Sequence, residues 1–318
     1  MSKVMDRAAE ILGAAASIAA CGHVGPDGDA FGSAVGFAYC ARAAGKNAVV
    51  SFGEPFTISP NLEFIPRDVV VPASEFPKAP EVMVAFDTAV LHRLGSLAAA
   101  ANAAGTLIVV DHHPIGEEFG DVRVVDAGAG AAAQITYHLI RRLGWPLPRE
   151  AAIALWAGLV TDTGRFQYSS TSGDTLRVAA DLVDGGVPVD EVGQTLFENL
   201  PFGYLSLSSR VLGRASLDPG RRFVWSVMTQ EDLDECGLDY TAADPLIDDL
   251  RIAREADVAL FVKQLPEGWR GSLRSRGRVD VAAIAAEFGG GGHHNAAGFT
   301  APGPPQAIVD RIKALLDG

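Results

Sequence analysis

Cysteine is scarce in this sequence. Cys21, Cys40 and Cys236 are the only three among 318 residues, odd in number and without a CxxC spacing. That composition excludes a disulfide framework and fits a reducing, cytoplasmic setting. Basic residues are also few, 26 against 39 acidic ones, for a formal net charge of −13. Sequence-independent binding to long nucleic acid needs a basic surface that displaces counterions, so that class is disfavoured. A small anionic ligand is not excluded, because a carboxylate site loaded with metal cations attracts anions. No run of about 18 uncharged apolar residues is present, so no membrane span is expected. The apolar stretch 11–21 has the composition of a signal-peptide core. However, Asp6 and Glu10 offset Lys3 and Arg7, where such a peptide needs positive charge. It reads instead as an N-terminal helix running into a first strand. Internal repeats and low-complexity tracts are also lacking.

What is present is ordinary globular material, 48% hydrophobic and 20% charged, at a length that suggests two domains. In the first half, short β-branched runs such as Val82-Met83-Val84-Ala85-Phe86 and Leu107-Ile108-Val109-Val110 alternate with helical patterns over 91–104, 134–143, 150–159 and 175–183. Strands alternating with helices predict an α/β fold around a buried parallel sheet. A helical pattern over 199–212 joins the halves. Beyond it come strands at 223–228 and 258–262, helices at 281–288 and 308–316, and an acidic stretch, 231–250, with eight acids and no base. A solvated face is the default reading of that stretch. Residues 263–278 carry five bases and one acid.

Five of the seven histidines fall into three short clusters: His23, His112 with His113, and His293 with His294. His92 and His138 lie in helical patterns and read as surface or core residues. The run His23-Val24-Gly25-Pro26-Asp27-Gly28-Asp29 sits between a strand and a helix, where Pro26 and Gly28 force a turn. It presents a histidine and two carboxylates at the carboxyl end of a strand, the place where open α/β sheets build their sites. Asp87 follows the strand 82–86, and Asp111-His112-His113 follows 107–110. Asp162 ends an otherwise apolar helix, where burying its carboxylate without a partner would be costly. His23, Asp27, Asp29, Asp87, His112 and Asp162 thus offer mixed ligands. Their four carboxylates are neutralised by two divalent cations, and Asp/His ligation suits Mn²⁺ best. Two ions about 3.5–4 Å apart can share a hydroxide and clamp a phosphoryl group.

Asp111-His112-His113, with the His-x-x-Pro-Asp-Gly-Asp run and the strand-end Asp87, resembles the DHH phosphoesterase superfamily. Gly289-Gly290-Gly291-Gly292-His293-His294-Asn295-Ala296-Ala297-Gly298 resembles the signature of the DHH-associated domain. In combination the chain is similar to the bifunctional oligoribonuclease and 3′-phosphoadenosine 5′-phosphate phosphatase family, which includes actinobacterial members acting on cyclic di-AMP and its linear product. The resemblance implies a DHH domain over 1–195, a helical linker over 196–216, a smaller α/β substrate-binding domain over 217–318, and an active-site cleft between the domains. It implies that His23, Asp27 and Asp87 hold one metal and that Asp29, Asp87, His112 and Asp162 hold the second, with Asp87 bridging. His113 would face the substrate, and Asp111 would order the histidine pair. The position directly after the glycines selects His293. Gly290, Gly291 and Gly292, with Arg274 and Ser275 upstream, are expected to take substrate phosphate.

The activity this implies is metal-dependent hydrolysis of short nucleotides: nanoRNA, pApA or cyclic di-AMP to AMP, and 3′-phosphoadenosine 5′-phosphate to AMP. A homodimer is also expected. Three alternatives stay open: a manganese inorganic pyrophosphatase, a single-strand exonuclease of the same superfamily, and a cyclic-dinucleotide receptor without turnover. The pyrophosphatase's Arg-Lys-Lys motif is absent, the exonuclease's extra modules have little room, and the full ligand set argues against a receptor.

Overall fold

The computed structural model describes residues 2–113 and 116–317; the side chains of Ser2 and His293 lie outside the description. The chain divides into two compact units, Met1–Asn199 and Leu200–Gly318. No helix among the described residues is long and apolar enough to cross a membrane.

The first unit holds β1 (Ser17–Gly22), β2 (Asn47–Phe52), β3 (Val82–Phe86), β4 (Thr106–Asp111) and β5 (Val122–Val125). They form one parallel sheet in the order β2-β1-β3-β4-β5. Every residue of β3 is buried, as expected for a strand covered on both faces. The chain adds β2 on one side of β1 and β3 on the other. The strand order therefore reverses between β1 and β3, and the crevice beyond their carboxyl ends is the natural ligand position.

Helices α1 (Ser2–Ala14), α2 (Gly28–Ala43), α3 (Ala98–Asn102), α4 (Ala132–Leu143), α5 (Arg149–Asp162), α6 (Gly173–Asp184) and α7 (Val189–Phe197) complete the unit. Phe31 and Phe37 of α2 pack on Phe52 and Phe86 of the sheet, with ring centroids 5.3 and 5.2 Å apart. Each such buried ring contributes about 1.5–3 kcal/mol. Helices α2 and α5 are apolar almost all round and cross closely, which explains their composition. Gly28, Gly32 and Gly36 recur every fourth residue along α2. A Cβ on Gly32 would lie 2.2 Å from the Ala154 carbonyl oxygen, so this close approach requires glycine. The crossing carries Asp29 of α2 and Asp162 of α5 to the same place.

The helix expected over 91–104 is broken. Residues Leu91–Leu97 form 3₁₀ turns, kinked at Gly95 (φ 57°), before α3 begins. The Val24 N–H donates to the Arg93 carbonyl at 2.8 Å, tying this segment to the loop after β1.

The second unit begins with α8 (Gly203–Gly213), delayed past Pro201 relative to expectation. It continues with β6 (Ser216–Asp218), β7 (Phe223–Met228), α9 (Gln230–Cys236), α10 (Leu246–Arg251), β8 (Val258–Leu265), β9 (Gly268–Ser275), α11 (Val281–Ala286), β10 (Gly291–His293), β11 (Ala296–Ala301) and α12 (Pro305–Leu316). The sheet is mixed, in the order β10-β11-β9-β8-β7-β6, with only β7 and β8 paired in parallel. One core joins the sheet to α11 and α12; another joins its opposite face to α8, α9 and α10. Residues 196–216, expected as a linker, are divided between the units. Leu196 is buried in the first unit's core, and Tyr204, Leu207 and Val211 are buried in the second's.

Candidate metal centre

Three strand ends and two helix ends supply the cluster. His23 follows β1, Asp87 follows β3, Asp111 ends β4 with His112 and His113 behind it, and Asp162 closes α5. Asp27 is the N-cap of α2, and its Oδ1 accepts from the Asp29 and Ala30 N–H groups at 3.1 Å each. Capping uses one oxygen only; Oδ2 faces His23 Nε2 at 3.7 Å. Asp29 has two duties as well. Its carboxylate accepts from the Ala132 and Ala133 N–H groups at 2.6 and 2.8 Å, which anchors the start of α4, and from the Ser33 hydroxyl at 3.1 Å. A Cβ on Gly158 would lie 2.9 Å from Asp29 Oδ1.

Asp87 sits at φ 51°, a left-handed conformation that aspartate tolerates better than most residues. Strained backbone of this kind clusters at functional sites. Its N–H donates to the Val110 carbonyl at 2.9 Å. Its two oxygens look two ways: Oδ2 lies 3.7 Å from His23 Nε2, and Oδ1 lies 3.5 Å from His112 Nε2. Oδ1 is buried and, among the described residues, accepts no hydrogen bond of ordinary length. His112 Nε2 also faces Asp162 at 3.2 Å and Asp29 at 3.8 Å, while its Nδ1 lies 3.3 Å from the Ala129 carbonyl. A histidine tied through one nitrogen presents the other as a ligand.

Two donor groups are therefore compact enough to hold a cation: His23 with Asp27 and Asp87, and Asp29 with His112 and Asp162. A third arrangement joins Asp87, His112 and His113. All six expected ligands are brought together. His113 Nδ1 bonds Asp111 Oδ1 at 2.7 Å, and the same oxygen accepts from the His112 N–H at 2.9 Å. Asp111 thus orders both histidines.

The electrostatics describe a site that needs positive charge. Burial, then the Asp87 charge, push the Asp29 carboxyl up to about 7. Burial and the charges of Asp29 and Asp87 also raise Asp162 well above the carboxylate range, although His112 opposes this. Burial would lower His112, but its close approach to Asp87 and the charges of Asp162, Asp29 and Asp87 outweigh that and push it up to about 11. Asp87 is held below the ordinary range: burial acts against this, but His112, His113 and His23 prevail. Oxygen and imidazole donors around an orphaned carboxylate oxygen fit hard or intermediate divalent cations.

Arg93 had no signal in the sequence beyond an isolated arginine in a helical pattern. Its Nη2 lies 3.0 Å from His23 Nδ1. His92 is exposed, and His138 Nε2 bonds Asp174 at 2.7 Å.

In the second unit the expected substrate set separates. Strand alternation places Arg270, Ser272 and Arg274 on one face of β9, paired with Thr300, Gly298 and Ala296 of β11. Ser275 is not brought to that face. It is buried on the other, and its Oγ accepts from the Gly277 and Val279 N–H groups at 3.0 and 3.4 Å. The glycine run is not a loose loop. A Cβ on Gly290 would lie 2.2 Å from the Gly298 carbonyl oxygen, and one on Gly292 (φ 144°) would lie 2.5 Å from the Ala296 carbonyl oxygen. These two glycines serve the β10–β11 pairing, and Gly291 alone of the three has open space. His293 pairs with Ala296 in the ladder; its side chain is outside the description.

The basic segment is largely neutralised from within. Lys263 is buried, paired with Asp244 and 4.3 Å above the Tyr240 ring. Arg276 donates to the Arg251 and Ile252 carbonyls, Arg278 lies 3.5 Å from Asp257, and Arg274 lies 3.5 Å from Asp248. The acidic stretch is correspondingly more than a solvated face. Asp232 pairs with Arg214 while closing the capping box of α9, and Glu235 pairs with Arg210.

Residues 17–159 match the DHH family, N-terminal domain, and residues 226–317 match the DHHA1 domain. The chain is 33% identical over 283 residues to the bifunctional oligoribonuclease and PAP phosphatase NrnA of Thermus thermophilus, covering 88% of this chain and 83% of the relative. It is 28% identical over 300 residues to the Bacillus subtilis protein of the same name, covering 93% and 92%. An exopolyphosphatase-related protein from Bacteroides fragilis shares the fold across 100% of this chain and 96% of its own, with TM-score 0.92 at 22% identity. The identity over most of the chain, the two matched domains and the convergent Asp/His cluster lead to one assignment: this chain belongs to the DHH family of phosphoesterases, built from a DHH and a DHHA1 domain, and is a hydrolase of phosphoester bonds.

Proposed function

We propose that the protein hydrolyses short nucleotides: nanoRNA to mononucleotides, pApA or cyclic di-AMP to AMP, and 3′-phosphoadenosine 5′-phosphate to AMP. The observation that carries this reading is Asp87, which turns one oxygen to each of two ligand groups, in a chain whose curated relatives are named for oligoribonuclease and PAP phosphatase activity. His23, Asp27 and Asp87 would hold one divalent cation, and Asp29, Asp87, His112 and Asp162 a second, with Mn²⁺ the best match to the donors. When bound, such ions neutralise phosphoryl charge and activate water.

The chain's own residues do the rest. Asp29 and Asp27 are pre-oriented by the helix N-termini they anchor, so little order is lost when a ligand arrives. Asp111 fixes the His113 ring through Nδ1, and His113 is assigned to contact the scissile phosphate or the leaving oxygen. In the second unit, Arg274, Gly291 and His293 are assigned to the rest of the substrate. Arg274 must exchange its Asp248 neighbour for phosphate. That exchange favours a ligand of high local charge, a terminal phosphate above an internal one.

Initial rates with Mn²⁺, with Mg²⁺ and with chelator on RNAs of 2 to 20 nucleotides, pApA, cyclic di-AMP, 3′-phosphoadenosine 5′-phosphate and pyrophosphate test this. Rates should fall with RNA length. Pyrophosphate as the sole good substrate, or equal rates on long RNA, would overturn the reading.

A further inference from the structure

Gln134 lies in the first turn of α4, is 5% exposed, and has no part in the chemistry above. Its neighbours dictate how its amide points. Oε1 accepts from the Gly130 N–H at 2.9 Å and from the Thr175 hydroxyl at 2.9 Å, and Nε2 donates to Asp174 Oδ2 at 2.8 Å. The flipped amide would set N–H against N–H and oxygen against carboxylate, so a single orientation is consistent.

The consequence lies one residue away. Gly130 follows Ala129, whose carbonyl faces His112 Nδ1 at 3.3 Å. That contact turns the ring so that Nε2 looks at Asp162, Asp87 and Asp29. The loop has little freedom to reach this position otherwise. Ala129 N–H bonds the Asp126 carbonyl at 3.0 Å, and a Cβ on Gly130 would lie 3.0 Å from Thr163 Cγ2 and 3.1 Å from Thr175 Cγ2. Asp174 is itself fixed, in the first turn of α6 behind the Ser172 capping box and bonded by His138 at 2.7 Å. A polar path thus runs from the start of α6, through Gln134, to the loop that orients a candidate ligand.

We propose that Gln134 is a positioning residue for His112: through the Gly130 N–H it holds the Ala129 carbonyl where it fixes the ring, and so sets the affinity of the Asp29–His112–Asp162 group for a divalent cation. This rests on the metal-site reading above. Loss of a partner behind a ligating histidine typically costs 10–100-fold in metal affinity.

The test is calorimetric titration of Mn²⁺ into chelator-stripped full-length protein, with circular dichroism to establish that each variant is folded. Gln134→Leu should bind about 10–100-fold more weakly at one class of site. Gln134→Glu keeps the acceptor for Gly130 but sets a carboxylate against Asp174, and should also bind weakly. Adding Asp174→Asn restores a donor and should recover at least about tenfold. If wild type binds no divalent cation, the metal-site reading fails. If wild type binds and a folded Gln134→Leu binds equally well, the positioning role fails while the site stands. If Gln134→Leu does not fold, the Glu and Glu/Asn pair decides, and equal affinities in the two would refute the role.

Discussion

Stripping the protein of divalent cations should make its first unit lose stability as pH rises. Asp29 is the clearest source. Burial, and next the Asp87 charge, move its carboxyl from 3.8 up to about 7. Between those values the folded chain holds a proton that the unfolded chain has released, so stability declines as pH rises through the window. The whole displacement is worth about 4 kcal/mol at about 1.36 kcal/mol per pH unit. Roughly 2 kcal/mol of it falls between pH 5.5 and pH 8.5. Asp162 is displaced in the same direction and adds to the slope. His112, held up to about 11, contributes stability that is fully present below 6.5 and is lost as pH climbs toward 11. Asp87 has the opposite sign, with its contribution present above 3.8 and lost only in acid. Urea unfolding across pH 5.5–8.5, in EDTA and in saturating Mn²⁺, reads the effect. The EDTA series should fall by at least about 2 kcal/mol, and Mn²⁺ should abolish the fall, because a cation then offsets the carboxylates. Asp29→Asn should make the EDTA series shallower, with Asp162 and His112 still contributing to the slope, while losing about 1 kcal/mol for a weakened acceptor at the start of α4. A flat wild-type series in EDTA, or an Asp29→Asn series as steep as wild type, would refute the reasoning.

Gly32→Ala places a methyl 2.2 Å from a backbone oxygen of α5; a loss of about 1–3 kcal/mol is expected. Mn²⁺ affinity in calorimetry should fall with it, because the same crossing joins Asp29 to Asp162. His113→Gln should lower kcat by about 10²–10⁴ with Mn²⁺ affinity little changed, and unchanged turnover would remove His113 from the chemistry. Ser275→Ala should leave KM for nucleotides unaltered, whereas Arg274→Gln should raise it, a contrast that steady-state kinetics measures directly. Lys263→Met exchanges a buried ammonium for an apolar chain and leaves Asp244 exposed, so stability in thermal unfolding should change by no more than about 1 kcal/mol.

The candidate metal donors were legible because their setting is local. Asp87, and His112 just behind Asp111, each follow an uninterrupted apolar run, and a parallel strand that must be buried on both faces can place polar residues only at its ends. The parallel sheet and the second α/β unit followed from the same patterning. Less legible was why α2 and α5 cross where they do, although the four-residue glycine spacing of Gly28, Gly32 and Gly36 was in view. The kink at Gly95 was hidden, because it depends on Val24 packing from another segment. Alternation along β9 separates Ser275 from Arg274; the pair looks adjacent only when sequence neighbours are read as spatial ones.

By itself, the sequence determined which side chains could ligate a cation and which end of the sheet would hold them, since both follow from hydrophobic periodicity and turn chemistry over a few residues. Only the tertiary structure decided how those side chains are shared. It turned one Asp87 oxygen toward each histidine, gave Asp29 a helix to anchor, committed Gly290 and Gly292 to a strand pairing, and neutralised Lys263 with an acid from the 231–250 stretch. The physical reason is range. Periodicity acts between neighbours along the chain, whereas Coulomb and hydrogen-bond partners are chosen among residues tens of positions apart that only packing brings within a few ångströms.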